Sequence, residues 1–268
     1  MVRVGLVGCG TIGSRLALTL EREYPSVARI VALHDTNPTH ARLLQQRLHR
    51  RPPIVSLSVL LRTSQLVLEA ASVDAVGPIV RTVLRTHRSV LVMSVGGLLR
   101  DTRWQRLARR SRGQVYIPSG ALAGLDGVKA MAVGRITRVV LTTRKPPRAL
   151  ADAPYVRARG LQLTRLRRPR VIFEGSPREV VQAFPQNTNV AAALALASGS
   201  AQHRARIRVI ADPAVRVNSH ELEIEGDCGR IQCRVQSRPS ENPKTSELAV
   251  RSAIVALRRI FDVISIGT

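Results

Sequence analysis

Val2-Arg3-Val4-Gly5-Leu6-Val7-Gly8-Cys9-Gly10-Thr11-Ile12-Gly13 opens the chain, and its reading decides the fold. The first six residues are a mostly apolar run of strand length. The next six form a G-x-G-x-x-G turn. Helix-like periodicity follows in Ser14–Glu21, and a second apolar run, Ile30–Leu33, ends at His34-Asp35. Strand, glycine turn, helix, strand and acid together describe a dinucleotide-binding unit. Gly8 permits the tight turn, Gly10 lets backbone approach a pyrophosphate, and Gly13 lets the helix pack close to the strand. The helix N-terminus, at Thr11 and Ile12, offers N–H groups to phosphates. Asp35 follows Gly13 by 22 residues, a spacing suited to the acid that binds a ribose 2′-OH. The bland alternative is a βαβ unit whose glycines serve packing alone.

Working outward, residues 1–120 alternate strands and helices. Leu66–Ser72 reads as a strand into a small-residue turn, and Val76–Thr86 as an amphipathic helix. Ser89–Val95 is a strand ended by Gly96-Gly97, Trp104–Ser111 a helix, and Val115–Pro118 a last strand. Thr39–Arg50 reads as a polar helix ended by Pro52-Pro53. The expected fold class is α/β: an N-terminal Rossmann doubly wound parallel sheet. Ligands on such sheets sit beyond the strands' carboxyl ends, so Glu69–Ser72 and Ser94–Gly97 fall at the expected mouth, with Ala71 and Ser72 among the expected cofactor contacts.

Residues 121–268 have a different rhythm, and an α+β catalytic and dimerisation domain is expected there. Ser176-Pro177-Arg178-Glu179 carries a helix start. Two strands flank a hairpin at Gly226–Gly229; His220, Leu222 and Ile224 share one face, and Glu221, Glu223 and Glu225 the other. A C-terminal helix at about 246–260 could pack back on the first domain.

The 268 residues carry 44% hydrophobic content, enough for one large or two modest domains. Apolar stretches are too short to span a membrane, and strand and turn begin at residue 2, where a signal peptide would need an apolar core. Cys9, Cys228 and Cys233 are few and odd in number, so a reduced, cytoplasmic protein is expected. Cys228 and Cys233, taken as one strand, would face opposite sides. No spacing suggests a metal site. The net charge is +24, and of 42 basic residues 39 are arginine. Aromatics make up only 3%, too few for a base-stacking platform, and the arginines are spread along the chain. Nucleic-acid binding is therefore expected only nonspecifically, at low salt. The densest basic run lies between Arg157 and Arg170.

A hydride-transfer enzyme needs a proton shuttle, and histidine suits it. His40, His49, His87 and His203 read as surface residues. His220 alone points to an apolar strand face, which also suits a satisfied core histidine.

Several stretches carry a family resemblance: Pro118–Asp126, Thr142–Pro147, Phe173–Ser176, Phe184–Ala192, Ile210–Pro213, Asn218–Glu221 and Glu241–Ser246. In this order they resemble the L-aspartate dehydrogenases. The resemblance implies NAD- or NADP-dependent oxidation of L-aspartate to iminoaspartate, which hydrolyses to oxaloacetate and ammonia or passes to quinolinate on the way to NAD. It implies His220 as the catalytic residue, Ala121 and Asn189 as cofactor contacts, and a homodimer. Leu122-Ala123 departs from the Ile-Gly frequent in the family. The dicarboxylic substrate needs cationic or N–H partners, for which Asn187, Lys145 and Lys244 are candidates, with Arg144 beside them. The competing readings are another two-domain dehydrogenase, of the homoserine dehydrogenase or dihydrodipicolinate reductase type, and a nucleotide-sensing or nucleic-acid-binding protein.

Overall fold

The computed structural model describes residues 1–185, 188–241, 245–264 and 266–267. It divides into two compact units. One comprises residues 1–118 with 250–265, the other residues 119–249 with 266–268.

In the N-terminal unit five strands form a parallel sheet: β1 (Val2–Val7), β2 (Ala28–His34), β3 (Leu66–Glu69), β4 (Ser89–Val92) and β5 (Val115–Tyr116), in the order β2-β1-β3-β4-β5. The order reverses at β1, so the crevice beyond the carboxyl end of β1 is the expected ligand position. The central strands β1, β3 and β4 are short and mostly buried, as a sheet covered on both faces requires. Helix Thr11–Glu23 buries Leu16, Ala17 and Leu20 against them. Ala253 and Leu257 of the C-terminal helix, Glu247–Phe261, join the same core at 0% exposure. Arg258 fixes that helix by two hydrogen bonds to Glu23, at 2.8 and 3.0 Å.

In the C-terminal unit β6 (Ile136–Lys145), β7 (Arg170–Gly175), β8 (Ala205–Ala211), β9 (Asn218–Gly226) and β10 (Gly229–Ser237) form a mixed sheet in the order β10-β9-β6-β8-β7. Only β6 and β8 run parallel; the remaining pairs are antiparallel. The hairpin alternates as its sequence pattern demands. His220, Leu222 and Ile224 are buried, and Arg234–Glu221 and Arg230–Glu225 pair across the strands on the other face. Ser176 accepts from the Glu179 N–H and Glu179 from the Ser176 N–H, completing the capping box that starts helix Pro177–Ala183. Tyr155, Phe173 and Phe184 pack ring against ring at 5.4–5.6 Å between centroids.

Several sequence expectations need correction. The helix after β2 ends at Arg47, ahead of Pro52-Pro53, because the 53–55 segment is held against β2: Leu33 N–H donates to Pro53 O, and Val55 N–H to Leu33 O. Strand β3 stops at Glu69. Strand β4 stops at Val92, ahead of Val95, and Gly96-Gly97 begins a short helix; a Cβ on Gly97 would lie 2.2 Å from Val73 O, so this glycine serves close packing. Cys228 sits in the hairpin turn, not on a strand with Cys233.

Candidate active site

The glycine turn separates the tasks of its three glycines. Gly8 has φ +92°, and a Cβ there would lie 2.3 Å from Ala70 O. On Gly13 a Cβ would lie 1.9 Å from Gly8 O. Both positions are closed by the protein's own backbone. Gly10 meets nothing within 4 Å, so its missing side chain leaves open space beside the helix N-terminus. The first intrahelical bond is Ser14 N–H to Gly10 O, leaving the N–H groups of Thr11, Ile12 and Gly13 ahead of the ladder. An open glycine and three orphan donors fit a pyrophosphate.

Asp35 stands at the end of β2. Its Oδ2 accepts the Cys9 N–H at 2.6 Å and its Oδ1 the Asn37 N–H at 2.7 Å. A carboxylate has about four lone-pair sites, so a ribose hydroxyl can still donate to it. Cys9 itself is buried, and burial followed by the nearby Asp35 charge pushes its thiol up to about 12. It stays a protonated packing group.

Sequence reasoning put Glu69 at the mouth of the sheet but gave it no specific role. Its carboxyl group is fully buried; Oε1 accepts the Ala71 N–H at 2.9 Å and Oε2 the Ser94 N–H at 3.0 Å. Burial pushes its pKa up, against the lowering effect of these bonds. Glu69 thus shapes the Ala70–Ser72 loop that closes over Gly8. The available signal was an acid ending the apolar run Leu66-Val67-Leu68.

A paired test separates a ligand role from packing. Gly10→Ala is expected to leave the melting temperature unchanged and to weaken dinucleotide binding roughly tenfold or more, because the new methyl enters the phosphate approach. Gly13→Ala is expected to destabilise by about 1–3 kcal/mol, as an overpacked contact does. Calorimetry and fluorescence titration with NADH read the two effects. Wild-type NADH affinity in Gly10→Ala would leave the glycines with a packing role only.

The C-terminal unit gathers polar groups at one end of its sheet. Register places Thr143 of β6 opposite His220 of β9, and Thr143 Oγ1 lies 3.0 Å from His220 Nδ1. Lys145 follows two residues on, hence on the same face. His220 is 3% exposed and Lys145 5%. Burial first, and the Lys145 charge second, push His220 down to about 3. Burial alone pushes Lys145 down to about 8. A neutral imidazole beside a desolvated ammonium can accept a proton and hold an anion. Arg144 lies on the opposite face and pairs with the buried Asp212 at 2.9 Å. Sequence gave Arg144 and Lys145 equal standing; strand alternation parts them.

Ala121 is buried just after Gly120, whose φ is +67°. A Cβ on Gly120 would lie 3.9 Å from Val190, so the Gly120-Ala121 turn packs against the start of helix Asn189–Ala197. Asn189 is exposed at that helix's first position. Ser72 is exposed and Ala71 half-buried in its loop. Asn187 and Lys244 lie outside the described residues.

A Rossmann unit followed by an α+β unit bearing a buried histidine and lysine defines a two-domain pyridine-nucleotide dehydrogenase. The homoserine dehydrogenase NAD-binding domain profile matches residues 8–118, and the aspartate dehydrogenase C-terminal profile matches residues 126–260. The L-aspartate dehydrogenases of Methanosarcina barkeri and Bradyrhizobium diazoefficiens are 41% and 35% identical to the chain. Those matches span 100% of it, and 100% and 94% of theirs. The chain belongs to the L-aspartate dehydrogenase family. The crystal structure of aspartate dehydrogenase from Thermotoga maritima shares the fold, with a TM-score of 0.72 at 24% identity over the whole of both chains.

Proposed function

We propose that the protein oxidises L-aspartate to iminoaspartate with NAD or NADP, residues 1–118 holding most of the dinucleotide and 119–249 the substrate. The observation that carries this reading is the buried face shared by Thr143, Lys145 and His220, within a unit matched by the aspartate dehydrogenase profile. The bound nicotinamide supplies a two-electron hydride acceptor. The N–H groups of Thr11, Ile12 and Gly13 would hold the pyrophosphate, with Gly8 setting the turn and Gly10 leaving room for it; Asp35 would hold a ribose hydroxyl, and the Ala71-Ser72 loop, Ala121 and Asn189 the remainder.

His220 acts as the acid/base. It is neutral near pH 7 and so has a nitrogen free to accept; the negative charge of a bound dicarboxylate offsets the Lys145 charge that, after burial, depresses it, and His220 then takes a proton from the substrate ammonium. Loss of that proton and of a hydride from Cα leaves the C=N bond of iminoaspartate. Water then adds, giving oxaloacetate and ammonia. Lys145 binds a substrate carboxylate; a dicarboxylate beside it stabilises the ammonium form that burial opposes. Asn187 and Lys244 complete the proposed substrate contacts.

The test follows NADH or NADPH absorbance with L-aspartate, and in reverse with oxaloacetate plus ammonia. L-Glutamate, L-homoserine and L-alanine serve as controls. Turnover confined to the aspartate pair supports the reading, and turnover with L-homoserine alone would move the chain to the homoserine dehydrogenase reaction. We also propose a homodimer, which light scattering tests, and a cytoplasmic location, which the three free thiols support. The exposed arginines between Arg157 and Arg170 then give only salt-sensitive, nonspecific nucleic-acid binding.

A further inference from the structure

A small pocket of about 10 Å³ is lined by Thr143, the partner of His220, by Thr188, and by apolar side chains including Leu150, Phe184, Ile207 and Val209. A void of that size has room for about one water, and a water needs polar partners to stay there. Two threonines line it. Thr188 is 2% exposed, and its Oγ1 finds no hydrogen-bond partner among the described residues. A buried hydroxyl left in that state costs about 1–3 kcal/mol. Thr143 Oγ1, 6% exposed, is the atom that meets His220 Nδ1 at 3.0 Å.

A neutral imidazole has one N–H and one bare nitrogen, and the partner of one nitrogen decides the other. A threonine hydroxyl that accepts from Nδ1–H still has its own proton to place, and a buried donor left without an acceptor is costly. A water in the void supplies that acceptor, and can donate onward to Thr188 Oγ1.

We propose that Thr143 is a positioning residue: with a buried water shared with Thr188, it holds His220 in the Nδ1–H form and leaves Nε2 bare as the base. The inference rests on the reading of His220 as the acid/base. Its tautomer part stands independently of that reading.

The first measurement is the two-bond 1H–15N histidine spectrum of the wild-type protein near pH 7, with the His220 signal assigned by its loss in His220→Gln. The expected result is the Nδ1–H tautomer; a dominant Nε2–H tautomer overturns the proposal without any Thr143 variant. Thr143→Val keeps the shape and the β-branched stiffness of the strand position. It is expected to shift the tautomer toward Nε2–H and to lower kcat about 10–100-fold, with KM for aspartate and for dinucleotide within about twofold. Thr143→Ser is expected to restore both. Thr188→Val, which removes the water's second partner, is expected to shift the tautomer partway and lower kcat several-fold. An unshifted tautomer with wild-type kcat in Thr143→Val overturns the proposal. A shifted tautomer with full turnover in His220→Ala removes the acid/base reading and keeps the tautomer assignment.

Discussion

His220→Ala is expected to bind NADH as the wild type does and to lose roughly 10²–10⁴ in kcat, the usual contribution of a positioned acid or base. The Rossmann unit that carries the glycine turn contains no part of β9, so cofactor titration should not move. Substrate affinity should change less than turnover, because a group acting on the proton in flight contributes most in the transition state. Removing the ring leaves a hole and strips Thr143 of its partner, so some stability is lost, on the order of 1–3 kcal/mol. Kinetics belong below the onset of melting, checked by circular dichroism. Unchanged kcat would return His220 to the role of a buried core histidine.

The nucleotide turn was legible because its signals are local. Strand length, glycine spacing and the acid at Asp35 all lie within one βαβ unit. The hairpin was legible for the same reason: period-2 alternation placed His220 inward and Glu221, Glu223 and Glu225 outward, as found. Helices Leu57–Thr63, Gly96–Arg100 and Leu125–Met131 escaped notice. Each is two turns or less, too short for helical periodicity to show. The His220 partners escaped for another reason. Thr143 and His220 are 77 positions apart, and only the register of β6 against β9 makes them neighbours. A single sequence holds no record of which strands pair. Glu69 likewise becomes a loop-shaping residue only when β3 and β4 lie side by side and present Ala71 and Ser94 to it.

Lys145→Met is expected to make the protein more stable and a poorer enzyme. Burial holds the Lys145 ammonium at about 8, against 10.5 for a free lysine. Between those values the unfolded chain binds a proton that the native state has released, so this group makes wild-type stability climb as pH rises from about 8 to about 10.5. Below pH 8 the whole penalty is present, on the order of 3 kcal/mol at about 1.4 kcal/mol per pKa unit. Methionine has a similar length and no charge to desolvate, so the variant should gain up to that amount near pH 7 and lose the alkaline climb. His220 should respond as well. Losing the Lys145 charge removes the second cause of its depression, while burial, the first, remains. Its pKa should therefore rise above about 3 and stay below 6.5. The acid window in which unfolded His220 binds a proton and the native ring does not then narrows, and stability falls less between pH 6.5 and 3. Turnover should move the other way. Losing a charge-assisted bond to a carboxylate is expected to raise KM for aspartate roughly 10–100-fold with dinucleotide binding unchanged. Denaturant titration from pH 3 to 10.5, with steady-state kinetics on the samples near neutral pH, reads every term. A gain in stability with a lost substrate contact is what a residue kept for function rather than folding gives. A less stable variant with wild-type kcat/KM would make Lys145 a structural residue and leave the substrate carboxylates to other groups.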